Sequence, residues 1–99
     1  MNIVKEANGS KLHLKLSGRL DTSTSPQLEE ELKKSLEGVT ELEMDFSELE
    51  YISSAGLRVL LSTQKTMNTR GSMKLYSVND TIMDIFEVTG FADILTIVK

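Results

Sequence analysis

Two serines in succession, Ser53-Ser54, followed by Ala55-Gly56-Leu57-Arg58, are the residues of this chain best suited to chemistry. A hydroxyl placed where an extended segment gives way to a helix has two uses. It accepts a bond from an orphan N–H of the first helical turn, or it stands exposed as an acceptor for a phosphoryl group. Adjacent hydroxyls allow one to cap and the other to stay free. Phosphate on Ser54 would meet the positive end of the helix dipole, an interaction of about 0.3–1 kcal/mol, so modification need not unfold the domain. It would bring a charge of roughly −1.5 to −2 into a neighbourhood expected to contain Asp45, Glu48 and Glu50. Losing about 2.8 kcal/mol of binding weakens a partner a hundredfold, so one phosphate is able to switch an interface off while the fold persists. Arg58 follows Ser54 at the i, i+4 spacing that brings helix side chains together. It reads either as a partner for phosphate or as a solvated helix arginine. Asp21 lies just past a predicted strand's carboxyl end, where open α/β sheets gather functional loops. It reads equally as a loop-capping aspartate.

The rest of the inventory argues against an enzyme. Ile52-Ser53-Ser54-Ala55-Gly56 lacks the first glycine of a nucleophile elbow, and the lone His13 sits mid-strand between lysines, away from any loop where it could activate Ser54. A small hydrolase would need such a base. No phosphate-cradling glycine loop ending in Gly-Lys-Ser/Thr is present, and one histidine with scattered carboxylates gives no metal spacing, so no cofactor is expected. The absence of cysteine excludes thiol chemistry and suits a cytoplasmic protein. With 15 acidic and 11 basic residues the net charge is −4, the wrong sign for a nucleic-acid binder. No apolar run approaches the roughly 18 residues needed to span a bilayer, and the amino-terminal residues lead into a strand pattern, so membrane insertion is not expected. Asn8-Gly9-Ser10 and Asn79-Asp80-Thr81 match the glycosylation triplet but read as a hairpin turn and a helix cap.

The elements that must position these groups follow from periodicity. Leu12, Leu14 and Leu16 alternate with Lys11, His13 and Lys15, as Leu42, Met44 and Phe46 alternate with Glu41, Glu43 and Asp45; each predicts a strand with one buried face. Ile3–Glu6 is a weaker strand joined to the first through Asn8-Gly9. Thr24 and Ser25 supply a hydroxyl cap before Pro26, Leu28, Leu32 and Leu36 form one helical stripe, and Gly38 is placed to end that helix. A second helix is predicted from Ser54 to about Thr69, a strand over Met73–Val78, a short helix capped by Asn79 and ended by Gly90, and a last strand over Ile94–Val98. The expected fold is α/β, β-β-α-β-α-β-α-β: a mixed, mainly parallel sheet of four to five strands with helices packed mainly on one face. Residues 1–99 suffice for one domain and are too few for two.

Taken in order, several segments resemble the STAS domain family, and within it the single-domain bacterial anti-sigma factor antagonists, or anti-anti-sigma factors. The resemblance covers nearly the whole chain. Gly18-Arg19-Leu20-Asp21 with Thr24 is similar to the family's Gly-x-Leu-Asp segment, and Asp45-Phe46-Ser47 to the strand before its switch loop. Ile52-Ser53-Ser54-Ala55-Gly56-Leu57 is similar to the phosphoserine loop and Ile85–Phe91 to the closing helix. The family commonly has Asp-Ser-Ser/Thr-Gly-Leu at the switch, with the serine after the aspartate phosphorylated. That serine matches Ser54, while Ser53 stands at the aspartate position and Ala55 at the following hydroxyl, which leaves Ser53 as a second candidate acceptor. The resemblance implies a partner-switching cycle in transcription regulation. The unphosphorylated module binds an anti-sigma factor serine kinase and frees the sigma factor, the kinase's ATP phosphorylates Ser54 and ends binding, and a PP2C-type phosphatase restores it. Asp21, Thr24, Ser53, Ser54, Ala55, Gly56, Leu57 and Arg58 are then the expected partner-binding residues. The alternative is a STAS adaptor subunit of a transporter or sensory complex that is never phosphorylated.

Overall fold

Residues 1–98 are described by a computed structural model. In chain order they form β1 (Asn2–Asn8), β2 (Lys11–Leu20), α1 (Ser25–Ser35), β3 (Glu41–Ile52), α2 (Ser54–Asn68), β4 (Ser72–Tyr76), α3 (Asp80–Thr89), a 3-10 turn (Phe91–Asp93) and β5 (Ile97–Val98). The sheet order is β1-β2-β3-β4-β5; β1 runs antiparallel to β2 and every later neighbour is parallel. Because each crossover joins adjacent strands with the same hand, the helices collect on one side. This is the expected architecture, including the amino-terminal hairpin, which Gly9 turns at φ +63°.

The alternating strands divide the sheet into two chemically distinct faces. Leu12, Leu14, Leu16, Leu42, Met44, Phe46, Met73 and Leu75 are buried beneath Leu28 and Leu32 of α1, Leu60 and Met67 of α2, and Ile82 and Phe86 of α3. Phe46 and Phe86 meet with ring centroids 6.5 Å apart. The opposite face is polar. There Glu43 receives the Tyr76 hydroxyl at 3.2 Å, contacts His13 Nδ1 at 3.3 Å and pairs with Lys11 at 3.4 Å. Partial burial pushes the Glu43 carboxyl up, but the bonds from His13, Lys11 and Tyr76 outweigh it and hold it below the usual range.

Several boundaries differ from the sequence expectation. β3 does not stop at Phe46 but continues to Ile52, paired with a β2 that reaches Leu20; register shifts between Lys15 and Ser17 and between Gly18 and Arg19 absorb the broken alternation. α1 ends at Ser35, with Leu36 still right-handed; Gly38, at φ +76°, turns the chain only after the helix has closed. The carbonyl of the C-cap Leu36 accepts from Val39 N–H at 3.0 Å and from Arg70 Nη1 at 2.9 Å. β4 is shorter than expected because Ser77 adopts φ +58°, and only Ile97–Val98 of the expected last strand pairs, since Ile94 and Leu95 complete the 3-10 turn by bonding back to Phe91.

Candidate functional site

β2 and β3 end side by side, with Arg19 opposite Tyr51 and Leu20 opposite Ile52, and their continuations make the site. From β2 the chain turns through Asp21 into α1; from β3 it turns through Ser53 into α2. One backbone bond joins the two turns: Ser53 N–H donates to Leu20 O at 2.9 Å. The carboxyl ends of these parallel strands thus hold Asp21, Thr24, Ser53 and Ser54 close together, as open α/β sheets do.

The two serines separate into different roles. Ser53 is the N-cap of α2, with extended backbone (φ −101°, ψ 176°), and its half-buried hydroxyl accepts from Gly56 N–H at 3.5 Å. Ser54 is the first helical residue and is exposed; among the described residues its hydroxyl is bonded to nothing. Capping therefore uses one hydroxyl and leaves the other in solvent.

Gly56 explains how the turns come so close. A Cβ at this position would lie 2.8 Å from Leu20 Cγ, 2.9 Å from Ile52 Cγ1 and 3.0 Å from Leu20 O. Only a residue without a side chain lets the first turn of α2 rest on the end of β2. Leu57 is buried in the core and anchors the turn from inside, with Gly56 buried beside it. Ala55 is half-buried, and Arg58 is exposed.

The β2–α1 loop is built around Asp21. Its Oδ1 accepts from Ser23 N–H (3.0 Å), Ser23 Oγ (2.8 Å) and Thr24 N–H (3.1 Å). The Ser23 hydroxyl is the main reason the Asp21 carboxyl is held below the usual aspartate range, with the backbone N–H groups of Thr24 and Ser23 adding to it. Thr24 does not cap α1 through its hydroxyl as expected: that group donates to Arg19 O at 2.7 Å and accepts from Asp21 N–H at 2.8 Å. The Asp21 carbonyl takes over by accepting from Ser25 N–H at 2.8 Å and Ser25 Oγ at 2.6 Å. Asp21 is thus the loop's organiser, in line with the loop-capping reading.

The expected acidic neighbourhood is thinner than the sequence suggested. At about 3.3 Å per residue, Asp45 lies roughly 23 Å back along β3 from Ile52. Glu48 is paired with Lys15 at 3.0 Å. Glu50 is the exposed carboxylate remaining near the end of the strand.

Two neighbours were not foreseen. Arg19 lies 4.4 Å from the Tyr51 ring centroid and reaches Asp21 Oδ2 at 3.7 Å. The contact depends on the cross-strand register, which local periodicity does not reveal. Beside Ser54, a groove between the starts of α1 and α2, about 460 Å³ in volume, is lined by Thr22, Pro26, Glu29, Ala55, Arg58 and Ser62 among others. Among the described residues no group of histidine, cysteine or carboxylate side chains is arranged to hold a metal ion, and no helix is long and apolar enough to cross a membrane.

A profile described as "Mlab, STAS domain" matches residues 3–98. The chain belongs to the STAS family. The anti-sigma-B factor antagonist of Listeria monocytogenes is 32% identical to this STAS domain, over 98% of this chain and 90% of the relative. That of Bacillus subtilis is 28% identical over the same shares. Among solved structures, an anti-sigma factor antagonist from Mycobacterium paratuberculosis superposes with a TM-score of 0.86 at 20% identity, covering 97% of this chain and 83% of that one. Unphosphorylated SpoIIAA, described as an anti-sigma factor antagonist, gives 0.77 at 17% identity, covering 99% and 88%. These likenesses establish that the STAS domain has the fold expected from its strand and helix pattern.

Proposed function

We propose that this STAS domain is a cytoplasmic anti-sigma factor antagonist, a binding protein with no catalytic role of its own. Unphosphorylated, it binds an anti-sigma factor that is also a serine kinase, so that the sigma factor goes free. Phosphorylation of Ser54 with the kinase's ATP ends the binding, and a PP2C-type phosphatase reverses it. The observation that carries this reading is the exposed, unbonded hydroxyl of Ser54 on the first turn of α2, next to a serine already committed to the cap. The full-length likeness to relatives named anti-sigma-B factor antagonist supports it.

The mechanism follows from electrostatics at an intact surface. An added charge of roughly −1.5 to −2 at a helix start is tolerated by the helix itself. A partner seated over Ser54, Ala55 and the Asp21–Thr24 loop would have to desolvate it, and one uncompensated charge at an interface removes several kcal/mol of binding. Asp21 and Thr24 act by holding the loop in shape beside Ser54.

Incubation with ATP and a cognate anti-sigma factor kinase is expected to add one phosphate, located at Ser54 by intact-mass and peptide analysis. Ser54→Asp is expected to weaken binding to that kinase at least a hundredfold. Wild-type affinity in the Ser54→Asp variant, or the absence of modification, would overturn the reading in favour of a non-phosphorylated adaptor.

A further inference from the structure

We infer that the phosphate on Ser54 is received within the chain by Arg58, so that phosphorylation also pairs the one cation that, among the described residues, stands free beside the switch. This deepens the proposal above and rests on Ser54 as the modified residue. Among the described residues two cations flank the site. Arg19 is held between Asp21 at 3.7 Å and the Tyr51 ring at 4.4 Å. Arg58 is exposed and, among the described residues, has neither an ion-pair partner nor a hydrogen-bonded side chain. The carboxylate nearest to it in the groove, Glu29, is already paired with Lys33 at 3.3 Å. The remaining acids around the site are Asp21, satisfied within its own loop, and Glu50, exposed on β3.

Helix geometry then selects the receiver. Side chains on an α-helix lean toward its amino terminus, so a residue covers the turn before its own. Arg58 in α2 therefore leans over the turn that begins at Ser54, four residues earlier. A guanidinium offers a planar fork of N–H donors that matches two phosphate oxygens at once. Before modification Arg58 contributes a positive charge to the groove shared with Glu29 and Ala55. After modification that charge is tied to the phosphate. The groove then faces a paired guanidinium and phosphate, with a net negative charge left over, in place of a lone cation.

The test needs neither kinase nor partner. Phosphoserine is installed at position 54 of the full chain by codon reassignment, and its second ionisation is followed by phosphorus NMR across pH in the wild type and in Arg58→Ala. The helix start acts equally in both, so it cancels in the comparison. Because a nearby cation favours the dianion, the wild-type midpoint is expected on the order of half a pH unit below that of Arg58→Ala. Coincident midpoints would overturn the inference. That failure would leave the switch itself standing, since modification by the kinase is read separately by mass.

Discussion

Replacing Gly56 by alanine is a perturbation whose sign separates two explanations of the same residue. If Gly56 were merely a weak point in α2, alanine would stabilise the helix by up to about 1 kcal/mol. The structure points the other way. The new methyl would meet Leu20 Cγ at 2.8 Å, Ile52 Cγ1 at 2.9 Å and Leu20 O at 3.0 Å, all closer than Cβ atoms normally tolerate. Two of these are side chains of fully buried residues, and the third is the carbonyl that accepts from Ser53 N–H. Overpacking of this kind typically costs about 1–3 kcal/mol. Set against the full helix gain, a net loss of up to about 2 kcal/mol is expected, or up to roughly 16 °C in melting temperature for a domain of this size. Urea unfolding with the slope m held fixed measures it directly. Ser62→Ala, at an exposed position of the same helix, serves as the propensity control and is expected to gain a few tenths of a kcal/mol. A Gly56→Ala protein more stable than wild type would refute the close-approach argument.

Ser53→Ala is expected to destabilise the fold by about 0.5–1 kcal/mol, the low end for a cap because the bond to Gly56 N–H is long, while Ser53→Asp retains the cap; thermal unfolding of both variants checks this. Asn79 both caps α3 through Ile82 N–H at 2.9 Å and donates to Leu49 O at 2.8 Å, so Asn79→Ala should lose about 1–2 kcal/mol in denaturant unfolding. Asp21 has a folded-state pKa below its unfolded one, so its contribution is fully present above the ordinary aspartate range and disappears as pH falls through the lower, folded value. The stability gap between wild type and Asp21→Asn should accordingly narrow on acidification from about pH 5 to pH 2; a gap independent of pH would show that the carboxylate is not organising the loop.

The legible parts of the chain were those in which one period held. Leu12-Leu14-Leu16 and Leu42-Met44-Phe46 announced two strands because each face of a half-buried sheet repeats every second residue. Beyond Phe46 the buried residues are Leu49 and Ile52, spaced by three, and that spacing conceals a strand whose bulges are visible only through its pairing with β2. The site divided in the same way. The cap and the exposed hydroxyl at Ser53-Ser54 follow from local chemistry and were readable. Neither the seating of Gly56 on Leu20 nor the stacking of Arg19 on Tyr51 was, because both depend on which residues two separate strands place at their ends. Thr24 misled for a related reason: its hydroxyl donates to Arg19 O and accepts from Asp21 N–H, and so is not used to accept from the helix N–H groups.

The order of strands in the sheet repeats their order in the chain, and this has a bearing on how the protein is made. Each strand, on leaving the ribosome, finds its neighbour already present, so no segment waits for a distant sequence to arrive. Each parallel pairing closes across a single helical crossover and none skips a strand, which limits the loop-closure entropy of each step. The ends of β2 and β3 meet once Ile52 has emerged, and the first turn of α2 follows immediately. The Ser53-Ser54 site is therefore built entirely from the first half of the chain and the start of α2, with β4, α3 and β5 added as support from one side.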